Sequence, residues 1–207
     1  MPLPPTSLGK KPTCLLETGQ STNLCPAIHI TKMRLLVLLA VSLLPLTSAM
    51  SGGAPEGACQ AFKPQHAGTE PQDLATAEFD LRFKHVPRGG KVLAKAGSKG
   101  LELQLRPGKA FKDEEFRGFL IQARYAENDA PAGVFDLQDR TKYVECDDAA
   151  PQSTITHTDS DPKKGWKLVW NPAPEDQPNT NYYFVYTIVK DYGTYWHDRK
   201  SSLFSLQ

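Results

Sequence analysis

Cysteine is scarce in this 207-residue chain, at four residues, and tryptophan and methionine number three each. So few cysteines exclude a small disulfide-dense scaffold, and none stands in a C-x-x-C, which argues against a zinc ribbon or a thioredoxin-like dithiol. Charge of one sign is missing too: 24 basic side chains face 23 acidic ones. That balance excludes a polybasic nucleic-acid binder and an acidic solvating tail. The 15 glycines and 17 prolines follow no G-x-y period, so a collagen-like fibre is excluded. No apolar run reaches the roughly 18 residues of a spanning helix. Walker, Rossmann, nucleophile-elbow and zincin signatures are absent, and no nucleophile is paired with a base. Neither an enzyme nor a cofactor is expected.

What is present begins with a leader. Leu35–Leu46 is the longest apolar stretch, too short to cross a bilayer but the size of a secretory signal core. Met33 and Arg34 precede it, and Thr47-Ser48-Ala49 supplies the small residues a signal peptidase reads. We read residues 1–32 as a disordered upstream extension, 33–49 as the signal peptide and 50–207 as a single domain. The rival reading is a signal anchor, which Pro45 and the shortness of the run disfavour. Without the leader's Lys10, Lys11, Lys32, Arg34 and Glu17, the remaining 158 residues hold 20 basic and 22 acidic side chains, a net charge of −2. Cys59 and Cys146 are then the cysteines left. In an oxidising compartment they read as one disulfide, the alternative being two buried thiols.

Period-2 patterning dominates the domain. Phe79, Leu81 and Phe83 alternate with Asp80, Arg82 and Lys84, and Leu101, Leu103 and Leu105 with Glu102, Gln104 and Arg106. The stretches 119–125, 166–170 and 182–189 alternate likewise. Each reads as a strand with one face on a core and one in water. Turn signals at Arg88-Gly89-Gly90, Arg106-Pro107-Gly108, Ala130–Gly133, Asp161-Pro162 and Asn171–Asn179 separate them. Seven or eight such strands predict an all-β, antiparallel sandwich.

Candidate chemistry is sparse. His66, His85, His157 and His197 share no metal-ligand spacing and read as isolated, so no metal is expected. Asp147-Asp148 and Asp113-Glu114-Glu115 read as solvated loops. The aromatic group Tyr182, Tyr183, Tyr186, Tyr192, Tyr195 and Trp196 is richer than one core face needs. Tyr183, Tyr195 and Trp196, with Arg124, are therefore the candidate binding residues. Gly118, on the face opposite Phe119, Ile121 and Ala123, permits close approach of another segment. Gln122 and Arg124 on that face are expected to tie down Ser51–Pro55.

Several collinear motifs now matter together. Ser51-Gly52-Gly53-Ala54-Pro55, Cys59 and Pro64-Gln65-His66 resemble the opening of the reeler (reelin) domain, and the run 116–124, FRGFLIQAR, is similar to its most specific stretch. Gly133-Val134-Phe135, Cys146, Thr156-His157-Thr158, Trp170-Asn171-Pro172 and Trp196 continue the resemblance in order. It implies an immunoglobulin-like sandwich and a Cys59–Cys146 pair. It further implies an extracellular role, as in matrix proteins, ferric-chelate reductase-like proteins and stand-alone secreted insect defence proteins. A signal peptide followed by one such domain looks like the last group. The expected function is secreted innate-immunity defence by extracellular binding, with a microbial surface component as partner. The alternative is a matrix or adhesion module with a glycan or matrix ligand.

Overall fold

In the computed structural model, residues 51–84, 91–92, 100–147 and 149–206 are described. The expected extension 1–32, the signal peptide 33–49, His85, Asp148 and the Arg88-Gly89-Gly90 turn lie outside the described residues. Eleven strands appear among the described ones: β1 (Phe79–Phe83), β2 (Lys91–Val92), β3 (Leu101–Pro107), β4 (Gly118–Tyr125), β5 (Val134–Phe135), β6 (Thr141–Tyr143), β7 (Thr154–His157), β8 (Trp166–Asn171), β9 (Asn181–Val189), β10 (Tyr195–Lys200) and β11 (Phe204–Leu206). Those beyond the seven or eight expected are two- and three-residue pieces, too short for alternation to register.

Two sheets form, ordered β1-β3-β8-β5 and β2-β11-β9-β4-β7-β6, with β10 also on β9. Every pairing between strands is antiparallel except β2 with β11, which is parallel. β10 and β11 follow one edge of β9 in turn, and β4 occupies the other.

The alternating residues meet between the sheets. Phe79, Leu81, Leu103, Leu105, Leu168 and Trp170 from one sheet pack on Phe119, Ile121, Tyr182, Phe184 and Ile188 from the other. Trp170 sets its edge against Tyr182, Phe184 and Phe204 at centroid distances of 5.1, 5.6 and 5.7 Å, and its indole N–H donates to the Ala132 carbonyl at 3.0 Å. Such edge-to-face contacts suit the ring quadrupoles, and the indole is buried with its polar atom satisfied.

The second face of the larger sheet is not left to water. Leu120, Tyr183 and Val185 point outward from β4 and β9 and are buried beneath Ala58 and Phe62, with Val144 beside them. The stretch 51–66, which carries no hydrophobic periodicity, is thus a third layer. The polar Thr156 and Thr187 hydrogen-bond to it, and Gln122 and Thr154 are buried on the same sheet. The expectation of one dry and one wet face therefore fails for β4 and β9.

Candidate functional site

The amino-terminal layer is fastened at many points. The Ala54 amide donates to Thr156 Oγ1 at 3.1 Å, and that hydroxyl donates to the Phe119 carbonyl at 2.6 Å. The Thr187 hydroxyl donates to the Phe62 carbonyl. Cys59 is joined to Cys146, with Cα atoms 5.4 Å apart. His66 stacks on Tyr192 at 4.6 Å and donates through Nδ1 to the Tyr192 carbonyl at 2.8 Å. The Tyr192 hydroxyl donates to the Ala67 carbonyl at 3.1 Å.

Between this layer and the sheet lies a cavity of about 220 Å³. Its walls are largely apolar: Ala54, Pro55, Phe62 and Pro64 from the covering segment, and Phe119, Leu120 and Val189 from the sheet. His66, Arg117, His157, Asp191 and Tyr192 add the titratable groups.

His157, at the end of β7, is only 8% exposed. Its Nδ1 lies 3.0 Å from the Phe119 amide, which can only donate, so Nδ1 accepts. Nδ1 also lies 3.1 Å from the Phe119 carbonyl, which has the Thr156 hydroxyl as a donor; taking the amide as the partner of Nδ1 places the imidazole proton on Nε2. Nε2 has no hydrogen-bond partner among the described residues. Burial pushes the imidazole down to about 4, with Lys163 acting in the same direction, so the ring is neutral at physiological pH.

Gly118 makes room for this ring. A Cβ there would stand 2.6 Å from Cε1 and 2.7 Å from Nε2 of His157. Gly53 is needed twice over: its φ is +95°, and a Cβ would meet the His157 carbonyl oxygen at 2.1 Å.

The turn after His157 is clamped from below. Lys163 Nζ, its side chain 2% exposed, donates to the carbonyls of Arg117, Asp159 and Asp161 at 3.0, 3.0 and 2.7 Å and to Asp159 Oδ1 at 3.1 Å. Arg140 grips Asp159 and Asp161 from outside and holds the Asp159 carboxyl well below the usual carboxylate range. Arg117 is exposed at the cavity, and its Nη1 donates to the Ser160 carbonyl at 3.1 Å.

The residues proposed from sequence do not converge on one surface. Arg124 and Tyr183 are register partners on β4 and β9, under the covering layer. The Arg124 guanidinium lies 5.3 Å from the Phe62 ring centroid, and its Nε donates to Gln122 Oε1 at 2.7 Å. Tyr183 is 5% exposed and donates its hydroxyl to Asp129 at 2.7 Å. Tyr195 and Trp196 are buried, at 0% and 2% exposed. Trp196 joins the main core and donates to Thr76 Oγ1 at 3.1 Å, while the Tyr195 hydroxyl donates to the Thr69 carbonyl at 3.3 Å. These aromatics fasten residues 62–76 to the sandwich. The segment approaching Gly118 is likewise not Ser51–Pro55 held by Gln122 and Arg124. The His157 ring takes that space, and Thr156 holds Ala54.

Sequence reasoning set His157 and Arg117 aside. His157 read as isolated, and its strand, Thr154–His157, alternates no hydrophobic residues although all four are buried. The usable signal was the collinear Thr156-His157-Thr158, which marked the place without stating a role.

The Reeler domain model matches residues 57–207. This chain belongs to the Reeler domain family. Among curated Reeler relatives, "Putative defense protein 3" of Antheraea mylitta is 30% identical over 161 residues, 77% of this chain and 88% of that protein. Defense protein l(2)34Fc of Drosophila melanogaster is 29% identical, over 79% of this chain and 93% of that protein. Ferric-chelate reductase 1 of Homo sapiens is 34% identical over 103 residues, which make up 46% of this chain and 17% of that protein. The human F-spondin reeler domain crystal structure superposes with a TM-score of 0.49 at 16% identity, over 68% of this chain and 96% of that one.

Among the described residues of this Reeler chain, no helix is long and apolar enough to cross a membrane. Among the described residues, no three His, Cys, Asp or Glu side chains cluster in a way that could hold a metal ion.

Proposed function

We propose that this Reeler-domain chain is a secreted defence protein that recognises a microbial surface component in the cavity beneath residues 51–66. The observation that carries this reading is the end-to-end similarity to two insect defence proteins, over 88% and 93% of their lengths. An extracellular place agrees with the family and with the closed Cys59–Cys146 bond. The cavity supports recognition: it joins apolar walls to a few polar groups, His157 and Arg117 among them, the pairing by which small sites fix orientation.

The test is pull-down of the secreted full-chain product on intact bacterial cells, beside purified heparin and matrix glycans. Cell binding that Val189→Phe reduces is the expected outcome, since that side chain lines the cavity. Binding to heparin or matrix glycans alone would favour the adhesion-module reading instead.

A further inference from the structure

The cavity's own chemistry narrows what it takes. A volume of about 220 Å³ exceeds the roughly 150 Å³ apolar cavity that admits benzene and falls below the roughly 300–1,000 Å³ of drug-sized sites. At about 30 Å³ for each water-sized group, it holds about seven such groups. Apolar walls from Ala54, Phe62, Leu120 and Val189 favour methylenes in that space.

Two donors bear on the same volume. His157 Nε2–H belongs to a side chain more than nine-tenths buried, and it lacks a protein acceptor among the described residues. An acceptor on a ligand in the cavity would pair this donor. Arg117 is the cation at the lining, engaged by the Ser160 carbonyl, a neutral acceptor that leaves its charge unbalanced. The opposing charge, Asp191, has its Oδ1 taken up by the Gly193 amide at 2.9 Å within its own turn.

We propose that the cavity binds a medium-chain carboxylate of about eight carbons, its tail on the apolar walls, His157 Nε2–H donating to a carboxylate oxygen and Arg117 balancing the charge. This deepens the functional reading above and rests on it only for the location of the recognition site. The neutral state of His157 fits the role, because a neutral imidazole with Nδ1 already accepting can donate only through Nε2.

Calorimetric titration of the secreted protein with octanoate, methyl octanoate and octylammonium tests the inference. One octanoate per chain is expected, with methyl octanoate and octylammonium each weaker by about tenfold or more, the scale of one charge-assisted hydrogen bond. Val189→Phe should abolish octanoate binding by filling the space, and Arg117→Gln, at an exposed position, should weaken it by about fivefold or more without lowering Tm. No octanoate binding by folded wild-type protein, equal affinity for the ester or the amine, or indifference to Val189→Phe would each overturn the proposal. Cell binding by the same preparation separates the two readings. Cells bound without octanoate sinks the ligand assignment alone, and octanoate bound without cells sinks the defence role alone.

Discussion

His157 illustrates how a residue takes its properties from neighbours far along the chain. Its imidazole is held at about 4 by burial, against about 6.5 in an unfolded chain. Between those values the unfolded state carries more protons, so stability is full above about pH 6.5 and falls as the pH drops toward about 4. Over that window the loss amounts to about 3 kcal/mol. Urea unfolding at several pH values should trace it. His157→Gln should be less stable at neutral pH yet flatter across the window. An unchanged slope in the variant would assign the acid sensitivity to other groups, such as Asp159 held by Arg140.

Arg124 belongs to the same scale. Its contacts include Gln122, the Phe62 ring and Tyr183, all within the protein. Arg124→Ala should therefore lower stability by about 1–2 kcal/mol, from one hydrogen bond to a charged group and one cation–π contact. Thermal melts and cell binding measured together check this. A variant that melts like wild type but loses binding would return Arg124 to the site.

At the scale of elements, β1 and β3 were readable because each has one buried face, so apolar residues fall at every second position. β4 and β9 were half readable. Alternation put Phe119, Ile121, Tyr182, Phe184 and Tyr186 on the main core, but it could not say that Leu120, Tyr183 and Val185 were also covered. The cover is the 51–66 segment, which has no regular period because it packs through turns and single anchors. Cys59 is one of those anchors, and its bond to Cys146 closes 87 residues of chain. By chain entropy that closure contributes about 4–5 kcal/mol, and Cys59→Ser should lower Tm accordingly. Limited proteolysis of the variant should cut within residues 51–78 before it reaches β4. Equal protection of that segment in wild type and variant would mean that Thr156, Thr187 and His66 hold it without the bond.

For the whole molecule, charge balance sets the mode of association. Residues 50–207 carry a net charge of −2, which supplies no general attraction to anionic cell surfaces. Cell binding should therefore change less than about threefold between low salt and about 0.5 M salt, where screening removes long-range steering. A steep loss with salt, measured by sedimentation of bound protein with cells, would point instead to a surface patch of basic side chains.

The sequence by itself determined the all-β class, the faces of the principal strands and the family, because period-2 burial and collinear motifs are written locally along the chain. It also narrowed the disulfide to Cys59 and Cys146 once the leader was set aside. Only the tertiary structure decided what the aromatics and the histidine do. Tyr195 and Trp196 became anchors for residues 62–76 because a short 3-10 turn and loops that lack periodicity came to lie over them. His157 became a buried, neutral donor because Gly118 and Phe119, 38 or more positions earlier, and the adjacent Thr156 surround its ring. Desolvation and hydrogen-bond partners act through space, and the spacing of residues along a chain does not encode which distant groups will supply them.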